Sequence, residues 1–148
     1  MIKKIYIAGP LFNKHEQMYL EDIAKELEGK GYDCFLPHRD QTGIDESELK
    51  GTDMSKETKD RIFKNDLDAL DAADLTVALL TGQDIDSGTS AEIGHTYAKE
   101  KPVIAINANE RRYRNLFVEG MLTVTVNNID QLIPEIEKLN WNQKIFKS

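Results

Sequence analysis

Short apolar runs alternate with amphipathic stretches along the whole 148-residue chain. The apolar runs fall at residues 5–8, 32–36, 74–80, 102–106 and 121–126. The first four are almost uninterrupted, as in Asp-Leu-Thr-Val-Ala-Leu-Leu at 74–80, which is the pattern of strands covered on both faces. The last alternates apolar residues with Thr and reads as an edge strand. Between them, 14–29, 55–73, 87–99 and 129–139 place apolar residues at three- and four-residue steps. Leu20, Ile23, Ala24 and Leu27 form one such stripe, and Ile62, Phe63, Leu67 and Leu70 another. Pro134 falls inside the final pattern and weakens it as a helix. A β-α alternation of this kind implies parallel strands joined by right-handed crossovers. The expected fold is α/β: a flavodoxin-like, doubly wound, five-stranded parallel sheet with helices on both faces. One domain over 1–148 accommodates it.

Such a sheet binds its ligand outside the carboxyl ends of the strands, where the strand order reverses. The informative residues therefore follow the apolar runs: Gly9-Pro10-Leu11-Phe12, His38 to Gln41, Thr81 to Thr89, and Asn107 to Asn115. The polar connection at 40–54 reads equally as a binding loop or as a solvated insertion.

Composition narrows the function. With 19 basic and 26 acidic residues the net charge is −7, which disfavours binding to a nucleic-acid backbone. The lone Cys34 forms no intramolecular disulfide and reads as a small buried residue. No apolar run has the length of a membrane span, and the N-terminal stretch lacks a signal-peptide core. A cytoplasmic protein is expected. Arg111-Arg112-Tyr113-Arg114 is too short a basic patch for nucleic acid and reads as a solvated loop or a subunit contact. There is no dinucleotide or P-loop glycine pattern. His95 has no second His at metal-site spacing.

The segment Asp86-Ser87-Gly88-Thr89-Ser90-Ala91-Glu92-Ile93-Gly94 follows the third apolar run and opens a helix. Two readings of Glu92 stand side by side. At the start of this helix its ionised form is favoured, as suits a nucleophile or a stabiliser of positive charge. Equally, Thr89-x-x-Glu92 matches a capping box, in which Glu92 only satisfies a helix N–H. Asp66 and Asp86 are further acids within reach of the same strand ends. Grouped carboxylates are what glycosidic-bond cleavage requires, one at the oxocarbenium-like centre and one to manage the leaving group's proton. Each is also readable as part of a solvated helix face.

Six ordered pieces resemble the nucleoside 2-deoxyribosyltransferase family. They are Lys4 to Pro10 with Phe12, Pro37 with Asp40-Gln41, Asn65-Asp66-Leu67, Asp74 to Ala78, Asp86 to Gly94, and Asn115 to Gly120. The resemblance implies that Glu92 is a nucleophile forming a deoxyribosyl ester, that Asp66 and Asp86 surround sugar and base, and that Tyr6 orients the nucleophile. It places Gly9, Phe12, Gln41, Gly88 and Asn115 among the substrate-binding positions, with Asn115 reaching the site of a neighbouring subunit in an oligomer built from dimers. The implied partners are a 2′-deoxynucleoside and a free nucleobase, with no metal or organic cofactor. A related activity is hydrolysis of deoxynucleoside 5′-monophosphates. Relatives of that kind carry a Ser where this chain has Asp86, so the acid favours nucleosides. The remaining alternative is a non-catalytic ligand-binding module.

Overall fold

The computed structural model describes residues 1–49, 53–82, 84–107 and 115–147. The patch at 111–114 lies outside them. Five parallel strands are ordered β2-β1-β3-β4-β5, with β1 Lys4–Ala8, β2 Asp33–Phe35, β3 Leu75–Leu80, β4 Val103–Asn107 and β5 Val124–Val126. This is the expected flavodoxin-like sheet, with the Thr-bearing strand β5 at one edge. The order reverses between β1 and β3, which pair from Ile5↔Leu75 to Ala8↔Ala78.

The helices are α1 Lys14–Glu28, α2 Glu46–Leu49, α3 Lys56–Ala72, α4 Ser87–Ala98, α5 Leu116–Gly120 and α6 Leu132–Lys147. Alternate strand residues feed two cores. Ile5, Ile7, Val77, Leu79, Ile104 and Ile106 pack with Leu20, Ile23 and Leu27 of α1 and Leu132 and Ile136 of α6. Tyr6, Ala8, Ala78, Leu80 and Ala105 pack with Leu70 of α3, Ile93 of α4 and Val118 of α5. Both faces are thus covered, which explains why the strands are apolar throughout.

Three expectations change. The last strand begins at Val124 rather than at 121, because Met121 closes the short helix α5. Residues 129–131 form a 3₁₀ turn, and α6 continues from Leu132 to Lys147. Pro134 is then the third residue of α6, where a helix has no N–H partner to lose. The stripe on α3 also does not simply face the core. Leu70 is buried, Leu67 is partly exposed and Phe63 is 69% exposed.

One buried polar contact ties α4 to the sheet. The Thr76 and Thr96 hydroxyls lie 2.7 Å apart, and Thr96 Oγ1 donates to the Glu92 carbonyl at 2.9 Å. Thr96 has one hydroxyl proton and spends it on Glu92, so Thr76 donates to Thr96. The two ends of this relay are not equivalent. Thr96→Val orphans a donor in the core and is expected to cost about 1–3 kcal/mol, whereas Thr76→Val removes a donor together with its demand and costs less. Urea unfolding of both single variants and the double variant checks this. The double should cost less than the sum of the singles.

Candidate active site

The reversal of strand order opens a cleft of about 670 Å³ at the carboxyl ends of β1 and β3, within the range of small-molecule sites. Its wall includes Gly9 and Phe12 after β1, Pro37 after β2, Phe63, Asp66, Leu67 and Leu70 of α3, Asp86, Ser87, Gly88, Ala91 and Glu92 in the first half of α4 and its cap, and His95 in its last turn. The apolar stripe of α3 therefore builds this wall.

Gly9 is required by a close approach. A Cβ there would fall 2.7 Å from Leu20 Cδ2 and 3.2 Å from Leu79 Cβ. The chain leaves β3 through Gly82, whose φ of +86° lies in the left-handed region that glycine adopts freely.

Asp86, not Thr89, caps α4. Its Oδ2 accepts from Thr89 N at 3.1 Å and from Thr89 Oγ1 at 3.0 Å. Thr89 is fully buried by this contact, so the capping-box reading of Thr89 and Glu92 does not hold. Glu92 is left in the second turn with its side chain on the cleft wall.

Tyr6 lies beneath Glu92. Its ring is fully buried and stacks on Phe35 with centroids 5.6 Å apart and planes at 21°. Burial first, and then the Glu92 carboxyl, push the Tyr6 hydroxyl far above its ordinary range, so it keeps its proton. Among the described residues that hydroxyl reaches no partner with full hydrogen-bond geometry. The approach of Tyr6 to Glu92 therefore tempers the effect of burial on the carboxyl without cancelling it.

The pull of the helix N-terminus towards an ionised Glu92 is opposed by its surroundings. Burial, reinforced by Asp66 and Asp86, pushes Glu92 up to about 7 against the Tyr6 contact. Asp66 is also raised by burial, opposed by a hydrogen bond from Gln41.

The remaining expected residues are placed as follows. Gln41 is not on the cleft wall. Its Nε2 donates to Asp66 Oδ1 and to Pro37 O, both at 2.8 Å. Asn115 caps α5 by accepting from Val118 N at 3.1 Å and does not line this cleft. The connection at 40–54 is described only in part, and it includes the short helix α2. Cys34 is buried, its thiol pushed up to about 12 by burial. Sequence reasoning did not find the wall positions Phe63 and His95. His95 Nε2 lies 2.7 Å from Asp71 Oδ1, and this bond holds Asp71 below the ordinary carboxylate range. His95 stands three residues after Glu92 and so shares its helix face. That spacing was the available signal.

A carboxyl with a raised folded-state pKa costs stability as pH rises. Below about 4.5, its ordinary value, Glu92 is protonated folded and unfolded alike. Between there and about 7 only the unfolded chain releases the proton. Glu92→Gln is therefore expected to raise Tm at pH 8, by the equivalent of at most about 3 kcal/mol, and to leave it nearly unchanged at pH 4.5. Thermal melts at the two pH values check the sign.

A profile of the family Nucleoside 2-deoxyribosyltransferase matches residues 5–143. A nucleoside deoxyribosyltransferase of Limosilactobacillus fermentum is 30% identical over 108 residues, which span 70% of this chain and 64% of that protein. Among solved structures, a conserved protein of Enterococcus faecalis V583 superposes with TM-score 0.76 at 27% identity, covering 93% of this chain and 99% of that one. A 2-deoxyribosyltransferase of Bacillus psychrosaccharolyticus gives 0.75 at 28%, covering 87% and 89%. The CMP N-glycosidase of Clostridium botulinum shares the fold, with TM-score 0.59 at 22% identity over 91% and 99%. With the profile running from β1 into α6, the chain belongs to the nucleoside 2-deoxyribosyltransferase family.

Proposed function

We propose that this protein transfers the 2-deoxyribosyl group of a 2′-deoxynucleoside from one nucleobase to another. The convergence of Glu92, Asp66 and Asp86 on one cleft carries the reading. Phe12, 78% exposed, and Phe63 offer ring faces at its wall for a flat base.

In the first half-reaction, a Glu92 carboxylate oxygen bonds to C1′ as the C1′–N bond breaks. The bond's electron pair goes to the departing base, and Asp66, the other raised carboxyl of the cleft, supplies a proton there in the protonation state that leaves Glu92 ionised. The product is a deoxyribosyl ester. In the second half, an incoming base attacks C1′, its proton passes to Asp66 and Glu92 leaves as the carboxylate. Configuration at C1′ is retained. Tyr6 donates towards the Glu92 oxygen that is not attacking. Asp86, already fixed by Thr89, faces the sugar and disfavours a 5′-phosphate. The absent 2′-hydroxyl makes the oxocarbenium-like centre easier to form, and the ionised Glu92 stabilises it. Asn115, which caps α5 in its own chain, is assigned to the cleft of a neighbouring subunit on the family resemblance alone. The assembly proposed is a homo-oligomer of one-domain subunits built from dimers, in the cytoplasm. No helix among the described residues is long and apolar enough to cross a membrane.

Incubation with a 2′-deoxynucleoside and a different free base should yield the exchanged nucleoside with ping-pong kinetics. Glu92→Ala should reduce exchange by at least roughly a thousandfold. A strong preference for the 5′-monophosphate with water as acceptor would instead establish the hydrolase.

The acid limb of the pH profile follows from the burial of Glu92. The nucleophile is lost on protonation, so kcat/KM for the donor should fall as pH drops through about 7. A profile flat down to pH 5 would overturn the raised ionisation of Glu92, while Glu92→Ala tests its role as nucleophile.

A further inference from the structure

Behind Asp66 lies a closed set of amide hydrogen bonds. Gln41 Nε2 donates to Pro37 O and to Asp66 Oδ1. Asn65 Nδ2 donates to Gln41 Oε1 at 3.1 Å and to Thr42 O at 2.9 Å. Pro37 O and Thr42 O are main-chain carbonyls and only accept. They fix which end of each amide is which. The Asn65 amino group must face Thr42 O, so Gln41 presents its oxygen to Asn65 and its amino group to Asp66.

This has a consequence for the acid. Asp66 Oδ1 already receives an N–H from Gln41, so a proton held by Asp66 sits on Oδ2. Asp66 lines the cleft and its Oδ2 accepts no hydrogen bond among the described residues, so Oδ2 is the oxygen a ligand can engage. The other groups around this cleft are Glu92, Asp86 and His95 on α4 and the Tyr6 hydroxyl from β1, and none of them donates to Asp66 Oδ1. Gln41 therefore decides the matter, and it is held at its amino end by Pro37 O and at its oxygen by Asn65.

We propose that Asn65 is a positioning residue for proton transfer, which by locking the Gln41 amide keeps the Asp66 proton on Oδ2, facing the nucleobase. The proposal rests on Asp66 being the acid of the transfer reaction. Asn65 itself need not touch substrate. It neighbours Asp66 in sequence but reaches it through Gln41, 24 residues earlier in the chain.

Asn65→Asp tests it. A carboxylate at 65 has no donor for Gln41 Oε1 and repels it, so Gln41 turns its amino group towards residue 65, giving up its bond to Pro37 O, and its oxygen towards Asp66. The Asp66 proton then moves to Oδ1 to meet that oxygen, away from the base. Two donors separate this from general damage. A 2′-deoxynucleoside needs a proton on its leaving base, whereas a 4-nitrophenyl 2-deoxyriboside releases a stable anion and needs none. Asn65→Asp should lower kcat for transfer from the nucleoside roughly ten- to a hundredfold, with KM changed less than about threefold. It should change transfer from the nitrophenyl donor less than about threefold. Asn65→Ala, which releases Gln41 without turning it, should show the same contrast at smaller size, and it serves if Asn65→Asp does not fold. Equal losses on both donors in the folded variant, or no loss on the nucleoside, would overturn the proposal. If the unsubstituted protein uses neither donor, the transferase reading fails and takes the proposal with it. If Asp66→Asn does not slow the nucleoside reaction, Asp66 is not the acid, with the same result.

Discussion

The pairing of β1 with β3 governs everything built above it. Both are interior strands, apolar on both faces, and their pairing makes the strand order reverse. The crossover after β1 packs α1 on one face of the sheet, and the crossover after β3 packs α4 on the other. Two chains leaving adjacent strands in opposite directions must part, and the cleft is the space between them. Gly9 lets the first chain turn tightly over Leu20 and Leu79, and Gly82 lets the second turn into the α4 approach. Chemistry at this place is thus set by backbone topology before any catalytic side chain is chosen.

The acids of the cleft do different work because their surroundings differ. Asp86 spends one oxygen on the helix start, where N–H groups are unpaired. Asp66 spends one on Gln41. Glu92 is opposed by burial and by two neighbouring acids, and among the described residues Tyr6 alone favours its charge. A developing positive charge at C1′ would reverse that balance. In the proposed mechanism, a carboxyl that its surroundings keep from ionising becomes the best partner for the sugar cation. The buried Thr76–Thr96 pair holds the helical turn that carries Glu92 against β3, so this acid is borne on a fixed element.

The strands and the place of the cleft were legible because a strand buried on both faces leaves a continuous apolar run, and a β-α alternation permits few topologies. What stayed hidden has physical reasons. The five residues of α5 are too few to show a helical period. The stripe of Phe63, Leu67 and Leu70 reveals a helix face but not whether that face meets core or cleft. Asp86 and Thr89 are both good caps by composition, and only the backbone decided between them. The partnerships of Gln41 with Asp66 and of Asp71 with His95 join residues more than twenty positions apart, which no local pattern encodes. The acids themselves were found as an ordered set of short pieces, not by spacing alone.

The cap on α4 also limits how this scaffold can diverge. Residue 86 lines the cleft and at the same time accepts the Thr89 N–H. A change that neutralised position 86 to admit a negatively charged substrate would still have to cap the helix. Ser, Asn and Thr meet both demands, whereas Ala or Val would loosen the turn that presents Glu92. Substrate range and helix stability are thus coupled at a single position, and the short polar residues that cap helices define the routes open to it.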